Sequence, residues 1–240
     1  MKTAIVMGVG PENGLGARLA RRFGARNLHV FVAGRTQAKL DAVAAAIRAA
    51  DGHATAHVAD ATDEGQVRAL FAAAAAVGDP DLVIYNTGNN TPGRLLDMEA
   101  AYFEQSWRTG CLGGFLCGRE ALRHMVPRGH GTILFTGASA SLRGRPNFGA
   151  FAAAKGALRQ LAQAMAKEAG PQGIHVGHVI VDGAIDGEKI HTRMPEYAAK
   201  LGPRGLVDLE AIVDAYVFLY DQPPRGWSFE LDLRTSIETW

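Results

Sequence analysis

KTAIVMGVGPENGLGARLA, residues 2–20, decides the architecture. An apolar run rich in β-branched residues breaks into glycines at Gly8 and Gly10. It resumes after Gly14 and Gly16 as Ala17-Arg18-Leu19-Ala20, a sequence that propagates a helix. A buried strand, a tight turn and a helix follow one another with no room for a linker. Glycines at such a turn let a backbone approach a ligand closely, and the free N–H groups of the helix start attract an anion.

The same rhythm continues outward. Apolar or β-branched runs at 3–9, 29–33, 54–59, 82–85, 131–136, 174–181 and 227–233 read as strands. Ala-, Leu-, Arg- and Glu-rich stretches at 14–24, 37–50, 63–77, 98–125, 149–169 and 208–220 read as helices. Strand-helix repetition of this kind requires right-handed parallel crossovers, so the expected fold is α/β, a doubly wound parallel sheet with helices on both faces. Strands such as 30–33 and 82–84 are apolar without alternation, as expected when both faces are covered. No Pro/Gly/Ser-rich linker divides residues 1–240, which are expected to form a single domain. The rhythm breaks only at 182–207, where Gly183, Gly187, Gly202 and Gly205 occur without a clear strand. This segment is expected to be a substrate lid.

Composition narrows the function. Lys and Arg number 25 against 24 Asp and Glu, a net charge of +1, so the chain has no surplus charge for coating nucleic acid or lying on a membrane. No apolar run approaches membrane-spanning length, and the N-terminal run passes straight into glycines as a strand rather than a signal peptide. Cys111 and Cys117 fall on one expected helix, about 9 Å apart along its axis and too far for a mutual disulfide. A reducing, cytoplasmic location is the expectation. The eight histidines have no paired metal-ligand spacing, and no metal site is expected.

The glycine turn lies in the first βα unit, where a pyrophosphate would rest on the helix start, so dinucleotide binding is expected of Gly10, Asn13, Gly14, Leu15 and Gly16. About 20 residues on, where an acid would bind the adenine ribose of NAD, the second strand ends in Gly34-Arg35. Arg35 offers a planar cation to a 2′-phosphate, which favours NADP over NAD; the alternative is a solvated loop residue. Asp60 has two readings, a partner for the adenine amino group or the N-cap of the next helix.

These features together resemble the short-chain dehydrogenase/reductase family along essentially the whole chain. Val9-Gly10-x3-Gly14-x-Gly16 is similar to its Thr-Gly-x3-Gly-x-Gly turn, Tyr85-Asn86-Thr87-Gly88 to its Asn-Asn-Ala-Gly, and Phe151-x3-Lys155 to its Tyr-x3-Lys. The resemblance implies a Rossmann-type fold and hydride exchange with a nicotinamide cofactor. It also implies contacts to that cofactor from Asn86, Gly88, Lys155 and the backbone of Ile185. In the family a tyrosine is the acid or base, a serine orients the substrate oxygen, a lysine assists the tyrosine and binds ribose, and an asparagine positions a relay water.

Here the tyrosine position is Phe151, the serine position Ala138 and the asparagine position Gly110. Lys155 is kept, and Ser139 or Ser141 could stand in for the serine. A phenyl ring has no ionisable proton, so the acid must come from elsewhere. Lys155 itself and the lid residues His191, Arg193 and Tyr197 are the candidates. Where the family has Pro-Gly, Asp182-Gly183 follows Val181, and the carboxylate either faces the pocket or forms an Asx turn.

Two functions remain open. One is an NADP(H)-dependent oxidoreductase with a non-standard proton donor and a small, partly apolar substrate; the other is a cofactor-binding pseudoenzyme acting as regulator or partner subunit. The resemblance also implies a homodimer or homotetramer through the helices at 98–125 and 149–169. The small residues Gly110, Gly113 and Gly114 would suit that contact or close packing within one subunit.

Overall fold

The computed structural model describes residues 1–88 and 90–238. Seven parallel strands form one sheet: β1 (Lys2–Met7), β2 (His29–Gly34), β3 (His53–Val58), β4 (Asp79–Tyr85), β5 (Gly131–Thr136), β6 (Ile174–Asp182) and, last in the chain, β9 (Glu230–Arg234). Their spatial order is β3-β2-β1-β4-β5-β6-β9. The order reverses between β1 and β4, and the crevice above the carboxyl ends of these two strands is where such sheets take ligands.

Alternation along β1 shows how the two layers are filled. Ala4 and Val6 enter one core with helices α1 (Leu15–Gly24), α2 (Gln37–Ala49) and α9 (Leu209–Asp221). Ile5 and Met7 enter the other with α3 (Glu64–Val77), α5 (Gly113–Met125) and α6 (Gly149–Ala169). All four are fully or almost fully buried, which accounts for the unbroken apolar run.

Three regions depart from the expectation. The helix expected over 98–125 is interrupted: α4 (Ala100–Trp107) passes through a π turn (Arg108–Leu112) before α5 begins. The π turn is fixed by packing, because a methyl group on Gly110 would come within 2.6 Å of Ala154 Cβ on α6, and the Tyr85 hydroxyl donates to Thr109 O at 2.5 Å. Gly114 is filled in the same way by Leu158. These glycines therefore pack within the subunit. The segment after β6 is also more ordered than its glycines suggest. It contains a two-strand ladder, β7 (Ala184–Ile185) with β8 (Leu206–Val207), and between them the short helices α7 (Glu188–Arg193) and α8 (Pro195–Leu201).

Thirdly, Asp182 makes no Asx turn. Its buried carboxylate accepts from Arg143 Nη2 at 2.9 and 3.2 Å, and Arg234 Nη1 lies 3.8 Å away. Asp60 likewise is not the cap of α3. Asp63 is, accepting from Gln66 N at 3.0 Å, while Asp60 Oδ1 accepts from both the N–H and the hydroxyl of Thr62 at 2.8 Å.

Helix α6 is held to the sheet edge by a polar cluster. Arg159 is bidentate on Glu230 of β9 at 2.6 and 2.9 Å, and Glu230 also contacts His178 Nδ1 at 3.0 Å. The His178 ring has no exposure, and burial drives its pKa down to about 4, so it is neutral at ordinary pH. It fits because residue 137 has no side chain: a Cβ there would come within 2.3 Å of His178 Nε2. Gly137→Ala should therefore cost about 1–3 kcal/mol, measured by urea unfolding. In a double-mutant cycle with His178→Ala the two losses should not add; additive losses would show that the contact is not the cause.

Candidate functional site

The glycine turn lies at the crevice between β1 and β4. Gly8 adopts φ +98, and the amides of Gly8 and Val9 both donate to Ala33 O at 2.9 Å. Its Cα faces the end of β4 so closely that an added methyl would come within 2.8 Å of the Asn86 carbonyl carbon. Gly16 is similarly pressed against Gly8 O. Gly10 is different, since a Cβ there would meet nothing within 4 Å. Packing explains Gly8 and Gly16; at Gly10 the bare backbone is left facing open space.

Helix α1 starts there with no side-chain cap and no acid in its first turn, leaving the amides of Leu15, Gly16 and Ala17 to an external acceptor. Asn13 stands at the rim, where its side-chain oxygen accepts from Arg18 at 3.2 Å and its carbonyl accepts from Glu188 N at 3.0 Å. Glu12, the acid of the turn, is drawn aside by Arg21 at 3.3 Å. Arg35, just past β2, is exposed and has no hydrogen-bond or ion-pair partner among the described residues.

Asn86 ties the strand ends together. Its amide nitrogen donates to Gly8 O at 3.3 Å, and its oxygen accepts from the Thr136 hydroxyl at 3.0 Å. Thr136 in turn shares a hydrogen bond of 2.6 Å with the Tyr216 hydroxyl of α9. This chain fixes β1, β4, β5 and α9 around the crevice.

Lys155 reaches the same point from α6. Its Nζ donates to Thr136 O at 2.7 Å and to Thr87 O at 3.3 Å, and lies alongside Gly88. The side chain is buried, and loss of water, assisted by the charge of Lys189, drives its pKa down to about 8. The Phe151 ring stands one turn earlier, its centroid 6.0 Å from Nζ. The other altered positions differ in what their surroundings allow. Gly110 is sealed by Ala154, so no asparagine fits there. Ser141 is buried and turned back, its Oγ accepting from Ala138 N at 3.1 Å. Ser139 is half-buried and its hydroxyl has no partner among the described residues. Ile185 lies half-buried on β7, packed against the α1/α9 core.

The crevice thus brings together Gly10, Asn13, Gly14, Leu15, Gly16, Asn86, Gly88 and Lys155, with Arg35 and Asp60 at the ends of β2 and β3. Three contributors were not singled out by sequence reasoning: Thr87 and Thr136, whose carbonyls seat Lys155, and Lys189, whose charge bears on it. Gly8 was readable, being the first glycine of the turn. Nothing in the sequence pairs Lys155 with backbone oxygens or with a lysine 34 positions away.

Residues 2–195 match the short chain dehydrogenase family model. The short-chain reductase protein NovJ of Streptomyces niveus is 33% identical over 181 residues, covering 73% of this chain and 67% of the relative. A short-chain dehydrogenase crystal structure from Rhodopseudomonas palustris superposes with TM-score 0.83 at 37% identity, covering 97% of this chain and 98% of that one. A gluconate 5-dehydrogenase from Burkholderia cenocepacia J2315, solved in complex with NADP and tartrate, superposes with TM-score 0.86 at 25% identity over 97% and 93%.

The buried lysine gives a test by stability. Its pKa is lowered from 10.5 to about 8. Between these values the unfolded chain holds a proton that the folded chain has released, so stability rises with pH across that window. Relative to Lys155→Met, the wild type should gain roughly 3 kcal/mol between pH 8 and pH 10.5 in denaturant titrations. Parallel pH dependence of the two proteins would mean that the ammonium is not desolvated.

Proposed function

We propose that this chain, which belongs to the short-chain dehydrogenase family and is an oxidoreductase of that family, uses NADP(H) in preference to NAD(H). Its substrate is small and partly apolar, and the proton comes from a group other than tyrosine. The observation that carries the reading is the bare backbone at Gly10, open to space in the turn that leads into the uncapped start of α1, together with the exposed, unpartnered Arg35. Anionic diphosphate suits the first and a 2′-phosphate the second.

When bound, the nicotinamide supplies or accepts the hydride. The residues of the chain do the rest. Gly10, Asn13, Gly14, Leu15 and Gly16 receive the diphosphate, Arg35 the 2′-phosphate, and the free oxygen of Asp60 the adenine amino group. Asn86 and Gly88 shape the floor, and Ile185 offers its backbone to the carboxamide. Lys155 holds the ribose hydroxyls. With a pKa near 8 its ammonium also gives up a proton at neutral pH far more readily than an ordinary lysine does. Ser139 presents the free hydroxyl that orients the substrate oxygen, and Phe151 forms an apolar wall. Residues 182–207 act as the lid over this cleft.

Exposed Phe103, Trp107 and Phe115, on α4 and α5, support assembly as a homodimer or homotetramer. No helix among the described residues is long and apolar enough to cross a membrane. We place the protein in the cytoplasm, where both thiols stay free.

The sealed Gly110 and the absence of a phenol at 151 favour a second reading, a protein that holds the cofactor without turnover. NADPH consumption over a panel of ketones, cyclic imines and conjugated enones separates the two. The wild type should turn over at least one class, and Lys155→Met should lose about 10²–10⁴-fold in kcat. Saturable NADPH binding with no turnover on any class would establish the second reading instead. In the same preparation Arg35→Ala should weaken NADPH binding about 10- to 100-fold and leave NADH unchanged. Equal effects on both cofactors would remove the case for NADP.

A further inference from the structure

The connection from β5 to α6 is pinned to the end of β6. It begins with the short helical turn Ser139–Ser141, and the amide of Arg143 donates to Ser139 O at 3.1 Å, so the Arg143 guanidinium and the free Ser139 hydroxyl ride on one backbone unit. Arg143 Nη2 reaches both oxygens of Asp182, the last residue of β6, at 2.9 and 3.2 Å. The Asp182 side chain is 2% exposed and that of Arg143 31%. The pair has a buried carboxylate end and an open guanidinium end.

Parity and register place this pair on the sheet. Val179 and Val181 enter the core shared with α1 and α9, so Asp182 turns to the opposite layer. There His178, on the same face of β6, shares Glu230 with Arg159 of α6, the helix that carries Phe151 and Lys155. Thr136, whose carbonyl seats Lys155, pairs with Val179, and Asp182 lies three residues further toward the carboxyl end, about 10 Å along the strand. Arg143 is therefore held at the carboxyl ends of the strands, on the side of the sheet that carries the lysine, and this is the end at which open α/β sheets take ligands.

The pairing also sets what the guanidinium can bind. Arg234, 3.8 Å from Asp182, is itself paired with Asp232, so two arginines meet two carboxylates and the cluster has no surplus charge. A guanidinium grips a planar oxyanion through Nη2 together with either Nε or Nη1, and here Nη2 is engaged by Asp182. Nε and Nη1 have no partner among the described residues. They are single donors on a charge-compensated group, which suits an uncharged acceptor oxygen better than a carboxylate or phosphate.

We propose that Arg143, anchored on Asp182, is a specificity-determining group of the substrate cleft and donates a hydrogen bond to an uncharged oxygen of the substrate, a second carbonyl or hydroxyl away from the reacting carbon. The inference rests on the reading of this cleft as the site of nicotinamide chemistry, and names the class of substrate it admits. The carboxamide oxygen of the cofactor has the same acceptor chemistry, and the experiment separates the two sources.

The protein is first titrated with NADP⁺ by calorimetry. The NADP⁺-loaded protein is then titrated with three cyclohexanones that carry acetyl, carboxylate or isopropyl on the ring carbon opposite the ketone. The wild type should bind the acetyl compound about tenfold more tightly than the isopropyl compound, and at least as tightly as the carboxylate. Asp182→Asn leaves the guanidinium uncompensated and should turn the preference about tenfold toward the carboxylate. The double variant Arg143→Met/Asp182→Asn, which buries no lone charge, should show no preference and keep its NADP⁺ affinity within about threefold. If Asp182→Asn does not fold, the double variant still decides. A wild type that prefers the carboxylate, binds the isopropyl compound as tightly as the acetyl one, or binds none of the three would overturn the proposal. So would an unchanged order in Asp182→Asn, or an acetyl preference that survives in the double variant; with a fall in NADP⁺ affinity, the latter would assign Arg143 to the carboxamide. If NADP⁺ itself failed to bind, the cofactor reading would fall, and titration of the same compounds into the free protein would decide the role of Arg143.

Discussion

The close approach of the β1–α1 turn to the end of β4 is the constraint from which the rest of the molecule follows. Gly8 and Gly16 have no space for a side chain, Gly8 being pressed against Asn86 and Thr87, and Gly16 against Gly8 O and the Asn86 side chain. Asn86 closes the contact by bonding Gly8 O on one side and the Thr136 hydroxyl on the other. With the turn pressed against the end of β4, the backbone at Gly10 faces open space and the first amides of α1 have no acceptor among the described residues. A helix start that lacks a side-chain cap and an acid in its first turn carries partial positive charge with no side chain among the described residues capping it.

The same economy of space shapes the surroundings of Lys155. The π turn needs Gly110 because Ala154 occupies the position a side chain would take, and Gly137 is bare because the neutral His178 ring fills its place. The departure at 110 and the bare backbone at 137 are thus tied to partners on α6 and β6. Phe151 has no such partner lock; it is a half-buried wall above Lys155. The lysine is left on two carbonyl oxygens in surroundings that oppose its charge, a state consistent with a group that exchanges protons near neutrality.

Much of this was legible from the chain. The strand-helix alternation, the glycine turn, Arg35 in place of an acid and Lys155 four residues after a phenylalanine all read directly, because each depends on local spacing or residue type. The interrupted helix did not, since the π turn is set by Gly110 against Ala154 and by Tyr85 against Thr109, contacts between elements distant in sequence. The two-residue strands β7 and β8 are too short to leave a periodic signal. Asp182 was read through its local turn chemistry, whereas its partner Arg143 lies 39 residues away. Lys189 carried no signal at all, because only the fold brings its charge to bear on Lys155.

The central claim is that the glycine turn and the start of α1 grip a diphosphate. Amide hydrogen exchange followed by mass spectrometry, with and without saturating NADP⁺, reads those groups directly. Exchange should slow in peptides covering residues 9–17 and at the Gly34–Arg35 corner, while the far face of α3 stays unchanged. Unaltered exchange across 9–17 at saturating cofactor would contradict the account.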